Sequence, residues 1–120
     1  MARTFTPDEA RSLMSAILVE VGELVAARAD LREISVDREN AGSSALGGIP
    51  ELKALEARIQ EIISGWQQQG IVVKGLAPVL LDFPSVREGV PVLLCWVEGE
   101  PELAWYHRAD LGFSGRRPLT

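Results

Sequence analysis

Chemically reactive side chains are scarce in this chain of 120 residues, which holds one cysteine, one histidine and one tyrosine. The single cysteine, Cys95, excludes an intramolecular disulfide and a cysteine-cluster zinc site, and a reducing, cytoplasmic setting is expected. Positive charge is also short: 12 Lys and Arg stand against 17 Asp and Glu, for a net charge of −5. Without a basic footprint, duplex nucleic acid is not an expected partner. Long apolar runs are absent too. The most apolar early stretch, Leu13 to Ala27, carries Glu20 and Glu23 and lacks a basic leader and a cleavage site. It suits neither a signal peptide nor the ~20 apolar residues of a membrane span. No internal repeat and no low-complexity segment is present.

What remains is an ordinary globular composition, 47% hydrophobic and 24% charged, in a chain long enough for one domain. The segment TFTPDEARSL offers Thr6 as N-cap, Pro7 at the first helical position and Glu9 three residues after the cap. Apolar residues then recur at Met14, Ile17, Val21, Leu24 and Leu31, broken by Arg28, with Leu13, Leu18, Val25 and Ile34 widening the seam. A glycine- and serine-rich turn, Asn40 to Pro50, separates this helix from a second. There Leu52, Leu55, Ile59, Ile62 and Trp66 keep an unbroken 3-4-3-4 spacing of coiled-coil type, and Gly70 supplies the C-terminal cap. An antiparallel helical hairpin is expected over residues 1–70. Its wide first helix asks for further cover, which points to a homodimer formed through the hairpin.

After Gly70 the pattern changes to short β-rich runs: Ile71–Gly75, Val79–Phe83, Pro91–Val97 and Glu102–His107. Arg87–Pro91 and Glu98–Pro101 read as hairpin turns. VLLCWV is apolar on both faces and is expected as the central strand. The expectation is an α+β single domain: a long antiparallel hairpin, then a small antiparallel sheet of three or four strands over residues 71–120 with a C-terminal loop.

The segment VKGLAPVLLDFPSVREGVPVLLCWVEGEPELAWYHRADLGFSGRRPL closely resembles the bacterial and archaeal family catalogued as domain of unknown function 2203. The resemblance rests on Asp82, Phe83 and Pro84, then Leu94, Cys95 and Trp96. It continues through Gly99, Glu100, Glu102, Trp105 and His107 to Gly112, Phe113, Gly115 and Arg116. It implies the fold and a prokaryotic origin and implies no activity.

Candidate chemistry concentrates in the last third. Asp82, Trp96, Glu102, His107, Arg116 and Arg117 are the candidate ligand-binding residues. Glu102, His107 and Asp110 are the candidate ligands of a divalent metal, joined in one version by Asp82. Their spacing matches no recognised metal motif, and an odd separation on a strand puts Glu102 and His107 on opposite faces unless a bulge intervenes. The bland alternative has His107 capping a strand end beside a carboxylate. Arg116 and Arg117, flanked by glycine, suit a small anionic ligand, or fold back onto Asp82 or Glu102 to pin the tail. Cys95 as a nucleophile with His107 as base is disfavoured, since a thiol in a doubly apolar strand is expected to be buried and inert. Trp105 is expected to pack against the hairpin, and Tyr106 to face the other way. Three functions follow: a dimeric binding or regulatory module with a polar pocket in the β-rich half; a metal-dependent or acid/base enzyme using Asp82, Glu102, His107 and Arg116; and a helical adaptor.

Overall fold

Thr6 and Glu9 satisfy each other's backbone at the start of the first helix. The Thr6 N–H donates to Glu9 Oε1 at 2.9 Å, and the Glu9 N–H donates to Thr6 Oγ1 at 3.1 Å. In the computed structural model, which describes residues 3–120, helix α1 runs Pro7–Ala41 and helix α2 runs Ile49–Gln68. The capping box therefore sets the entry of α1 where the sequence places it. Gly42, in a left-handed conformation at φ 78, ends α1 with its N–H on the Arg38 carbonyl. Gly70 ends α2 more elaborately. Its φ is 92, its N–H meets the Gln67 carbonyl, and the Ile71 N–H reaches back to the Trp66 carbonyl. That is the double bond pattern of a Schellman motif, and its apolar pair, Trp66 and Ile71, is fully buried.

Five strands follow: β1 Val72–Leu76, β2 Val79–Arg87, β3 Val90–Val97, β4 Trp105–Arg108 and β5 Arg117–Pro118. They form one antiparallel sheet in sequence order, with β3 at its centre as the doubly apolar run requires. The class is α+β, with a helical hairpin preceding the sheet. The strand count of three or four is corrected to five. The extra strand is two residues long and contains Pro118, which an edge position accepts because no ladder N–H is needed there. Pro84 likewise does not end β2 at Phe83. β1 pairs with β2 only as far as Asp82, so beyond that point one side of β2 lies clear of the ladder. The Phe5 N–H takes up the Pro84 carbonyl there, at 2.7 Å.

The chain divides into two compact units. One comprises the chain up to Leu18 together with Trp66–Thr120; the other is Val19–Gly65. In the second unit α1 buries Val21, Leu24, Ala27 and Ile34, and the Arg58 guanidinium grips Glu23 by two hydrogen bonds of 2.9 and 2.6 Å. The buried stripe passes through Ala27 rather than Leu31, which is half-buried.

In the first unit, Ala10, Met14 and Ile17 of α1 are buried along with Phe5. The strand register puts Leu81, Phe83 and Ser85 of β2 on the same sheet face as Trp96, Leu94 and Val92 of β3, and every one of them is buried. The Phe5 ring stands edge-on to Phe83 at 5.4 Å, and the Ser85 hydroxyl donates to the Phe5 carbonyl. Arg11 reaches from α1 to the carbonyls of Leu103 and Leu119, tying the C-terminal segment to the helix.

Candidate functional site

The opposite face of the sheet carries the chemistry. β2 and β3 are joined by the two-residue turn Glu88–Gly89, both with positive φ (52 and 77), so Arg87 pairs with Val90. Counting back five residues from that pair on each side brings Asp82 directly opposite Cys95. The next register pairs Cys95 with Trp105 and Leu93 with His107, so His107 lies diagonally across from Cys95 on the same face. Asp82, Cys95 and His107 are each buried, at 3%, 1% and 3% exposure. One potential ligand atom from each lies within 4.8 Å of those of the other two.

The cluster has three electrostatic peculiarities. His107 Nδ1 stands 2.8 Å from the Arg108 carbonyl, which only accepts, so Nδ1 carries the proton and Nε2 is left facing the cluster. Nε2 is 3.8 Å from Asp82 Oδ1, too far for a hydrogen bond. Among the described residues, Asp82 Oδ1 is one of two buried side-chain polar atoms without a hydrogen-bond partner. Burial pushes the Asp82 carboxyl above its ordinary range, opposed by His107 and by a hydrogen bond from Cys95. Burial, reinforced by the Asp82 charge, pushes the Cys95 thiol up to about 12. As it stands the thiol is a neutral, poor nucleophile.

A cavity of about 210 Å³ opens over the cluster, its walls completed by Lys74, Leu80, Leu93, Ala109, Gly112 and Phe113. That is room for several waters or a small ligand.

Arg116 secures the loop beyond the cavity. One of its terminal nitrogens donates to Glu100 Oε1 at 2.7 Å, to Glu100 Oε2 at 3.0 Å and to the Cys95 carbonyl at 3.1 Å. The same guanidinium lies 5.0 Å from the Trp105 ring and 4.7 Å from the Phe113 ring. Arginine folding back to pin the tail is the arrangement found, but its partner is Glu100 rather than Asp82 or Glu102. Glu100 is held in place by the Val97 N–H in the turn after β3, whereas Glu102 is exposed.

The other sequence candidates are dispersed. Asp110 is exposed and paired with Arg108, so neither it nor Glu102 joins His107. Arg117 is exposed in β5 opposite Tyr106. Trp96 is buried on the other sheet face and donates its Nε1–H to the Glu100 carbonyl. Trp105 does not share the face packed on Phe5; its pairing with Cys95 puts it on the cluster's side, under Arg116. Cys95 is the member that sequence reasoning set aside. Its burial is as expected, but its position opposite Asp82 is a matter of register rather than of its own strand.

No helix among the described residues is long and apolar enough to cross a membrane. Neither the curated proteins nor the solved structures contain a match to this chain. One family does match, described as "uncharacterized conserved protein (DUF2203)", and it covers residues 3–119, including both helices, all five strands and the whole cluster. The chain therefore belongs to the DUF2203 family.

Proposed function

We propose that this protein is a small ligand-binding module whose pocket is the cavity over Asp82, Cys95 and His107. The observation that carries this reading is the orphaned Asp82 Oδ1, buried at the cavity floor. A buried carboxylate oxygen with no donor costs free energy that a ligand bringing positive charge or a donor would recover. Thermal-shift measurements against divalent cations, small amines and small hydroxyl compounds test it, with wild type beside Asp82→Asn. A ligand at 100 times its Kd adds about 2.7 kcal/mol, which for this chain length raises Tm by about 10 °C. A response in wild type that Asp82→Asn loses supports the reading. If none of these classes shifts wild type, the reading falls.

The acid/base constellation of Asp82, Glu102, His107 and Arg116 draws less support, because Glu102 is exposed and Arg116 is engaged by Glu100. A homodimer formed through the hairpin is favoured by one observation. Val19 and Leu18, adjacent on α1, remain 74% and 38% exposed. Sedimentation at micromolar concentration decides it, and a strictly monomeric chain rules it out.

A further inference from the structure

Asp82, Cys95 and His107 bring a carboxylate oxygen, a sulfur and an imidazole nitrogen to one point beneath the cavity. Each comes from a different one of the three inner strands of the sheet, β2, β3 and β4. Resting on the pocket reading above, we propose that these three side chains hold one divalent transition-metal ion, zinc or iron(II), with a fourth coordination position open to the cavity.

Four independent features converge on this assignment. The first is the donor set. Carboxylate, thiolate and imidazole together suit a borderline-soft ion and poorly suit calcium or magnesium, which prefer oxygen alone. The second is the histidine. The Arg108 carbonyl fixes the proton on Nδ1, so Nε2 presents its lone pair to the cluster. A hydrogen-bonded far nitrogen is the usual support for a metal-bound histidine.

The third is the spacing. Oδ1 and Nε2 are 3.8 Å apart, and the buried Oδ1 has no hydrogen-bond partner. Two metal–ligand bonds of about 2.1 Å meeting at a tetrahedral angle span about 3.4 Å, so a small side-chain contraction brings this pair onto one ion, and all three ligand atoms already lie within 4.8 Å of one another. The fourth is charge. An ionised Asp82, an ionised Cys95 and a neutral His107 balance a divalent ion, which makes a buried site neutral overall. Coordination transfers the Cys95 proton to solvent, and the sulfur binds as thiolate.

Three protein ligands with a fourth position facing a cavity are the arrangement of exchangeable and reactive metal sites, in contrast to the closed four-ligand structural kind. Lys74 and Phe113 at the cavity wall then bound whatever occupies that position.

The test titrates metal-free, reduced full-length chain with cobalt(II), followed by absorption spectroscopy, and repeats it with zinc as competitor. One cobalt per chain is expected, with an intense near-ultraviolet thiolate-to-cobalt band that zinc abolishes. Cys95→Ser is expected to lose the band, and Asp82→Asn to weaken binding at least about tenfold. Glu102→Gln and Asp110→Asn are expected to bind as wild type does.

Folded wild type that shows no thiolate band overturns the assignment, and this result requires no variant to fold. A band that survives Cys95→Ser, or that depends on Asp110, also overturns it. If wild type ignores cobalt and zinc but is still stabilised by an amine through Asp82, the metal is wrong and the pocket reading stands. If no ligand of any class acts, both are wrong.

Discussion

Removing the Arg116 side chain tests how the C-terminal segment is held. In Arg116→Ala, Glu100 loses both contacts to the guanidinium, the Cys95 carbonyl loses a donor, and the Trp105 and Phe113 rings lose their cation. The two charged side chains are 13% and 19% exposed, so the pair is largely but not wholly desolvated. Breaking a fully buried pair costs about 3–5 kcal/mol. The residual exposure, and the Val97 N–H that still serves Glu100, bring the expected loss to about 2–4 kcal/mol. In urea unfolding this moves the midpoint down by about 1–2 M without changing the slope, for a slope near 2 kcal/mol/M. A double-mutant cycle with Glu100→Ala should return a coupling of at least about 1 kcal/mol. A loss below about 0.5 kcal/mol, or no coupling, would refute the reasoning. The tail would then owe its position to Arg11 and to β5 pairing.

Four further outcomes follow from other parts of the chain. Glu88 holds a left-handed conformation beside Gly89 in the β2–β3 turn, where asparagine is better suited. Glu88→Asn should therefore raise stability by about 0.5–1 kcal/mol in urea unfolding, and a loss would show that the Glu88 side chain contributes something else. Thr6→Ala should cost about 1 kcal/mol through the lost cap. Hydrogen bonds from the Thr6 backbone and side chain hold the Glu9 carboxyl below its ordinary value. Its contribution is thus complete above the ordinary carboxylate range and is lost as pH falls through the lowered folded value; in Glu9→Gln that part of the acid limb should disappear. Finally, the buried Cys95 thiol, at about 12, should be inert to a thiol-specific disulfide reagent in the folded, metal-free chain and react only on unfolding. Reaction at the rate of a free thiol would place Cys95 outside the core.

Much of the fold was legible because it depends on local signals. Thr6, Pro7 and Glu9 announced the start of α1, Gly70 the end of α2, and the doubly apolar VLLCWV run the central strand. Features that depend on neighbours were less so. The extension of β2 through Pro84 depends on β1 having ended and on Phe5 supplying a donor, and neither is written in the β2 residues. β5 is too short to carry a pattern of its own.

The candidate site shows the same division. His107 and Asp82 were legible as candidate ligands, an imidazole and a carboxylate on β-rich runs. Cys95 was judged by its own strand, whose apolarity correctly indicated burial, but what matters chemically is the residue opposite. The signal was present: with Glu88–Gly89 taken as a two-residue turn, the register alone brings Asp82 to Cys95. The partner of Arg116 was hidden for a related reason. Several acids precede it in sequence, and only the conformation of the turn after β3 selects Glu100 among them.

The convergence of Asp82, Cys95 and His107 on one ion is the claim on which most rests, and zinc-edge X-ray absorption on the zinc-treated, washed protein tests it most directly. One sulfur neighbour at about 2.3 Å is expected, together with nitrogen and oxygen neighbours at about 2.0–2.2 Å. A spectrum with light neighbours only, or protein that retains no zinc after washing, would contradict it.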